Sequence, residues 1–536
     1  MRLKPKYAWF LAFTAVFAAL AGFVFWGTWS LDTVPVMPDS PMVHSPYWFE
    51  NWWRNWAQNG KFVPGDLRVF FGSPYFWQEL NYVIGPYFAA LALMYFLRGR
   101  GLSRLSSYSA GLLLAFCGYW FTLFSAGHGS WFIWMTYGLF PFGLLDRAIV
   151  KGKLKNWVLL GATLGWASYW QTDLWLLFTF FIGVYFIFRC IRERKFPWKG
   201  MLVAGVVMFV IGGAGFCHAV FKDLAGRDQQ IAEGQTVAGA DSKSEDEKRW
   251  IFTTNWSLPP AEVLEFFVPR ANGDTSCQLV LMAGSKYRTG VKPYTGALGR
   301  PYGAKAGNYR QHSLYVGLVT CLLALVGIVG AFVRKDKTAV FFFACGVVFC
   351  LFSFGRYCEP VYRFVYALPF GDYLRAPVKW HHLTEFCFAV LAGFGIEFIL
   401  RRFSWNEGFS RIVKFVLVLI VLVGLADLAW HAGLYCAPLN VGEVRRQKAG
   451  MQMSCIRQAD LQNPQVRELL RLKRVILLSN ANQDPVLVGV IQPVRKNNDP
   501  FPPLSGFAWL SVLSMAGTVL VGIYAVKESA RRKVLA

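Results

Sequence analysis

Apolar runs of about 20 residues recur along the chain, separated by short basic connections or by long mixed segments. A helical run of that length matches the hydrocarbon core of a bilayer, whereas a membrane barrel would show alternating segments of ~10 residues. The pattern predicts an all-α polytopic membrane protein of about twelve spans, at 7–27, 82–97, 107–124, 130–146, 156–170, 173–189, 200–220, 312–333, 338–354, 382–400, 411–431 and 505–526. The fifth and sixth runs share only the hinge Trp170, Gln171, Thr172 and Asp173. Reading them as one kinked helix would flip every later connection.

The connections decide the sidedness. Seven short basic segments are left on one side, among them Arg98/Arg100/Arg104, Arg147/Lys151/Lys153/Lys155, Arg189/Arg192/Arg194/Lys195/Lys199 and Arg334/Lys335/Lys337. Cytoplasmic connections carry such an excess of Lys and Arg, so both termini are expected to be cytoplasmic. A net charge of +24 would otherwise suggest nucleic-acid binding, but it is spent on orientation. Composition agrees: 55% of residues are hydrophobic, 17% aromatic and only 16% charged, against ~25% charged in soluble domains. Arg2, Lys4 and Lys6 precede the first run, and Phe23, Phe25 and Trp26 leave no small-residue cleavage site, which reads as a retained signal anchor.

The segments divide the chain into an N-terminal membrane module (1–220) with an acidic first external loop (28–81), an extracytoplasmic region (221–311), a second membrane module (312–431), a small extracytoplasmic region (432–504), and a last span with a basic tail (505–536). In the second region Asp241 to Lys248 reads as a solvated, mobile acidic run. Pro259 and Pro260 suit a helix start and Pro269 a stop. In the fourth region a helical stretch at 464–473 and β-like runs at 475–478 and 486–491 predict a small α/β cap. Cys277, Cys358, Cys436 and Cys455 fall on the oxidising side; Cys436 with Cys455 is the nearest local pair, and three connectivities remain open.

Candidate chemistry lies on the external side. Asp39, in the proline-stiffened arm beyond the first helix, is placed to act as a general base at the bilayer surface, or to cap a turn before Pro41. Asp32, Glu50, Asp66 and Glu79 share its loop with many aromatics, and the run Tyr47 to Trp56 reads as an interfacial helix. His128 sits between Gly127 and Gly129, where backbone can approach a ligand closely. Asp173 marks an outer membrane boundary, as a functional acid or as a helix cap. Arg375, Lys379, His381 and His382 form a cationic set before the tenth span, suited to phosphate oxygens or to lipid headgroups. No Cys/His metal spacing, Walker loop, dinucleotide fingerprint, HExxH or G-x-S-x-G signature occurs.

Several of these features, in order, resemble the bacterial YfhO-like membrane proteins. They are the acidic first loop, the Gly127-His128-Gly129 turn with Leu144 to Arg147 beyond it, the run Trp256 to Glu262 with Val268, Pro269 and Gly273, and Leu374 to Pro377 before Val390 to Gly395. That family belongs with the GT-C glycosyltransferases. The resemblance implies a GT-C-like fold and transfer of a sugar from a polyprenyl-phosphate donor to an envelope glycan, lipid or protein on the outer face of the membrane. It implies Asp39 as catalytic base, with Arg375, Lys379, His128 and His381 at the donor phosphate. It names no definite cofactor, and a divalent metal ion is left open. The alternatives are a multi-span transporter or flippase, which would place acids or broken helices at mid-depth with inverted repeats, and a non-catalytic envelope-assembly protein.

Overall fold

The computed structural model describes residues 5–25, 74–126, 129–218, 244–273, 296–298, 314–368, 371–403, 406–436 and short stretches between 453 and 524. Fifteen helices of eight residues or more are numbered here within them: α1 (Pro5–Val24), α2 (Pro74–Gly99), α3 (Arg104–Ala115), α4 (Gly118–Ala126), α5 (Gly129–Gly138), α6 (Phe140–Lys151), α7 (Leu154–Ala167), α8 (Thr172–Glu193), α9 (Trp198–His218), α10 (Glu245–Thr254), α11 (Leu318–Arg334), α12 (Lys337–Ser353), α13 (Glu359–Tyr366), α14 (His381–Arg402) and α15 (Glu407–Cys436). Six helical stretches among the described residues are long and apolar enough to cross a membrane: Tyr7–Val24, Leu80–Gly99, Thr172–Glu193, Trp198–Cys217, Pro377–Arg402 and Glu407–Gly433. A seventh results if α12 and the bent stretch Gly355–Tyr366 count as one span, with a bend of 111° between them.

The burial pattern is that of a protein dissolved in lipid. Along α9, Trp198, Leu202, Val206 and Phe209 are exposed on one helical face, and α11 shows Leu318, Leu322, Leu325, Val329 and Phe332 in the same way. Buried positions meanwhile include Asp146, Asp173, Arg189, Lys379, His381, His382 and Glu385. In water so large an apolar surface would drive association; against hydrocarbon it carries no penalty. Helices then attract one another through close packing and polar contacts rather than through apolar burial. The crossing of α11 and α14 illustrates this, with glycines meeting backbone on both sides. A Cβ on Gly327 would lie 2.0 Å from Leu391 O, and one on Gly395 would lie 2.0 Å from Leu323 O.

Two of the runs expected to be single spans are each divided. The run at 107–124 breaks at Phe116 and Cys117 into α3 and α4, and that at 130–146 breaks at Leu139 into α5 and α6, where Pro141 follows at the start of the new helix. Apolar composition continued through both breaks, so hydropathy alone joined them. The break between α7 and α8 falls at 168–171, two residues earlier than the hinge read at 170–173, and Thr172 and Asp173 open α8. Helix α2 begins at Pro74, earlier than the expected span, and takes Glu79 out of the first loop into a helix. The acidic run also differs from expectation. Glu245 to Lys248 open α10, because Ser244 accepts from the Glu247 N–H (3.2 Å) and three acids in the first turn complement the helix dipole.

The described basic connections gather at one end of the bundle, pinned by a buried ionic centre. Asp146 on α6 takes Arg100 Nη1 (3.3 Å), Arg189 Nε (3.1 Å) and the Tyr185 hydroxyl (2.7 Å). Arg100 Nη2 also donates to Thr338 Oγ1 at 2.7 Å, bringing in α12. Beside it Glu397 on α14 accepts from Ser103 N (2.8 Å), Ser106 Oγ (2.9 Å) and Arg401 Nε (2.6 Å). Five connections distant in sequence are thereby tied to a single end.

Near the C-terminus, strands β1 (Met453–Ile456), β2 (Val475–Leu478) and β3 (Val486–Val490) form an antiparallel sheet in the order β1-β3-β2. Met453 pairs with Gly489 and Val475 with Val490. The runs at 475–478 and 486–490 were legible as strands, whereas β1 was not; the helical stretch at 464–473 lies outside the described residues.

Candidate functional site

The other end of the bundle is roofed by two segments far apart in sequence. After α10 the chain turns at Trp256, whose φ of 57° is left-handed, and enters a 3-10 helix, Pro260–Phe266. The Pro259-Pro260 start is as expected, but the element is a tighter 3-10 helix, and it ends before Pro269. Two carboxylates hold this segment. Glu262 accepts from the Ala297 and Leu298 N–H groups (2.6 and 3.2 Å), and Glu265 accepts from Asn272 N and Nδ2 (3.0 and 3.1 Å).

The second segment, Gly371 to Trp380, lies against the first. Ala376 N–H donates to Thr253 O and Val378 N–H to Trp256 O, both at 3.1 Å, and Arg249 pairs with Asp372 at 3.5 Å. Ala376 is also left-handed, with φ 65°. Two non-glycine residues in that region within one clasp are a concentration of backbone strain of the kind found at ligand sites. The α12–α13 bend completes the roof. Gly355 turns at φ 49°, and a Cβ there would lie 2.1 Å from Ser257 Oγ, which accepts the Arg356 N–H at 3.1 Å.

Beneath the roof is a buried acid–base cluster. Arg375, half-buried at the rim, stacks its guanidinium 4.8 Å from the Phe252 ring centre and 4.4 Å from that of Trp256. Lys379 is buried and its ammonium is engaged by the Asp173 carboxylate. Asp173 lies in the first turn of α8, where Gln171 holds the N-cap position without a side-chain cap bond and accepts instead from Ser130 Oγ at 3.0 Å. One turn into α14 the His381 and His382 rings and the Glu385 carboxylate are all within the protein. His382 Nδ1 is 3.3 Å from Glu385 Oε2, and His381 Nε2 is 3.8 Å from Oε1. His381 Nε2–H donates to Leu314 O at 3.2 Å, which fixes its tautomer. Aromatic rings enclose the pair: Tyr119, Trp120 and Trp131 stand 4.3, 4.1 and 5.0 Å from the His382 ring, and Phe266 stands 4.3 Å from His381.

The break between α3 and α4 belongs to this cluster. It is filled by the non-helical stretch Leu314 to Gly317, all of it buried. Non-helical backbone at such depth must find partners inside the protein, and this stretch does. Gly118 N–H donates to Tyr315 O (2.7 Å), Val316 N–H donates to Phe266 O (3.2 Å), and the Tyr315 hydroxyl bonds Asp427 on α15. The backbone N–H of Tyr119, freed at the start of α4, is directed at the Glu385 carboxylate. A helix N-terminus is a favourable neighbour for a carboxylate.

The expected site residues are therefore distributed as follows. Asp32, Asp39, Glu50, Asp66 and His128 lie outside the described residues. Asp173, Lys379 and His381 are brought together with His382 inside the protein, and of the cationic set only Arg375 reaches the rim. Glu385 is the residue that sequence reasoning missed. Its signal was present, an acid three residues after His382 within an apolar span, which marks function by default. Among the described residues no group of three or more His, Cys, Asp or Glu side chains is arranged to hold a metal ion. Cys358 is a free thiol.

The fold defines a multi-pass α-helical membrane protein. No protein-family model matches the chain, and no curated protein matches it.

Proposed function

We propose that the protein is a membrane glycosyltransferase of GT-C type, related to the YfhO-like proteins, that moves a sugar from a polyprenyl-phosphate lipid to an envelope acceptor on the outer face of the bacterial inner membrane. On this reading the chain has about twelve spans and both termini in the cytoplasm. The observation that supports it most is the clasp over the buried cluster. The Trp256–Glu262 and Leu374–Pro377 segments, two of those on which the family resemblance rests, are neighbours, tied at their edges by Ala376 N–H to Thr253 O and Val378 N–H to Trp256 O. They meet away from the end that gathers the basic connections, with Arg375 at their rim.

Asp39 takes the proton of the acceptor hydroxyl as that oxygen attacks the anomeric carbon. The bond from that carbon to the lipid phosphate oxygen breaks, and the phosphate departs with its charge facing Arg375. Since Lys379 is engaged by Asp173 and His381 Nε2 by Leu314 O, these two position the wall behind Arg375. Arg offers a planar fork to phosphate that Lys cannot reproduce. Sugar transfer by purified protein is therefore expected to be lost in Asp39→Asn and to fall at least about tenfold in Arg375→Lys, a loss of ~1.4 kcal/mol in transition-state binding. Full transfer by both variants would overturn the reading.

A second reading, a transporter, gains from the divided helices and from an acid and histidine buried within a span, features that such proteins use at their binding sites. Uptake of polyprenyl-phosphate lipid or its headgroup across proteoliposomes, without any transfer of sugar, would establish that reading instead.

A further inference from the structure

We propose that His382 and Glu385 form a buried proton-binding site, in which one proton moves between the imidazole Nδ1 and the carboxylate Oε2. This goes beyond the glycosyltransferase reading and holds whether or not the protein transfers sugar. The two atoms are 3.3 Å apart on adjoining turns of α14, and both side chains are fully enclosed. Neither ring nitrogen of His382 and neither oxygen of Glu385 has a well-formed hydrogen bond among the described residues. Buried polar atoms are almost always satisfied, and exceptions mark strain, chemistry or a small partner such as water. A carboxylate enclosed in this way needs a positive neighbour or a proton of its own. His382 supplies either one, as imidazolium beside carboxylate or as neutral imidazole beside carboxylic acid. One N–H bond breaks as one O–H bond forms, and the net charge of the pair is unchanged.

The surroundings keep both arrangements accessible. The stacked Tyr119 ring and the tilted Trp120 and Trp131 rings around His382 favour the imidazolium, and the Tyr119 N–H at the start of α4 favours the carboxylate. Lys379, on the preceding turn, opposes a second positive charge, but its own charge is offset by Asp173. The other titratable groups around the pair are His381 on α14, Tyr119 and Cys117 at the α3–α4 break and Cys321 on α11. None of these groups stands between Nδ1 and Oε2. A proton arriving through water would add to this pair, and the charge it brings would act on the Tyr119 backbone at the break and on the roof above His381.

Tryptophan emission tests the site without any activity assay, because an imidazolium stacked on indole quenches it. The full-length protein in detergent is titrated with acid alongside His382→Gln, Glu385→Gln and Trp120→Phe. The wild type is expected to show a quenching step that disappears in His382→Gln, shifts along the pH axis in Glu385→Gln, and loses most of its amplitude in Trp120→Phe. An identical step in wild type and His382→Gln would overturn the proposal, as would the absence of any step in the wild type. If His382→Gln does not purify as folded protein, infrared difference spectra of the wild type and Glu385→Gln decide. A carboxylic-acid band that changes in step with an imidazole band and is missing from Glu385→Gln supports the pair, and an unchanged spectrum in that variant rejects it.

Discussion

Helix α14 carries one glutamate near each end, and the two are treated in opposite ways. Glu397, at the end with the basic connections, has a donor for every demand: a backbone N–H, a hydroxyl and a guanidinium, all within 2.9 Å. Glu385, about three turns away, is the more deeply buried of the two, yet its oxygens have no well-formed hydrogen bond among the described residues. The same contrast separates the Asp146 carboxylate, which takes two guanidiniums and a tyrosine hydroxyl, from that of Glu385, although the Arg189 nitrogens also have no well-formed hydrogen bond among the described residues. A saturated polar network fixes one arrangement of the helices. An unsaturated one has a second state close in free energy, and that is what a site of action requires.

The comparison is most open to attack at the saturated end. Asp146→Ala would leave Arg100 without its carboxylate and Arg189 with only the half-exposed Glu193 at 3.0 Å, a loss of about 3 kcal/mol, and should appear as a large fall in thermal unfolding temperature in detergent. An unchanged transition would remove the claim that this centre holds the bundle. Glu397→Gln keeps the shape but removes the charge-assisted bonds, so a smaller loss of about 1.5–3 kcal/mol is expected, read by denaturant unfolding of the same preparation.

At the opposite end, Gly355→Ala tests the roof. A left-handed residue given a Cβ against Ser257 should lose about 1–3 kcal/mol, with faster proteolytic cleavage near Ser257 than at the basic end. Uniform cleavage would show that the bend and the clasp are not coupled. The smallest effect is expected from Glu385→Gln. Removing an under-satisfied charge should change stability by less than about 1 kcal/mol in either direction, while altering the acid titration of tryptophan emission. A loss as large as that of Asp146→Ala would place Glu385 among the structural staples and dissolve the contrast.

Much of this was legible in the chain and some was not, for definable reasons. Basic connections report their side through composition alone, so Arg98 to Arg104 and Arg147 to Lys155 could be grouped before any helix was placed. The breaks after Ala115 and Gly138 could not be, because Phe116, Cys117 and Leu139 are as apolar as the spans they interrupt. Among the candidate residues, Arg375, Lys379 and His381 were recognised as a set from their proximity in sequence, but their depth was not. Lys379 points to Asp173, a partner 206 residues away, and that pairing holds it inside the protein. Glu385 was overlooked because a single acid in an apolar helix is identical on paper to a satisfied one such as Glu397.

The sequence by itself determined a membrane-spanning helical chain, the side on which its basic connections gather, and the two segments that form the roof. Each of these depends on local composition: transfer of a ~20-residue run into hydrocarbon, charge bias within a connection, or a proline at a helix start. Only the tertiary structure decided which polar groups are satisfied. It joined Trp256 to Val378, filled the gap between α3 and α4 with Leu314 to Gly317, and closed three aromatic rings around His382. Hydrogen bonds and burial are properties of pairs of residues in space, and a pair separated by hundreds of positions leaves no trace in the local pattern of either member.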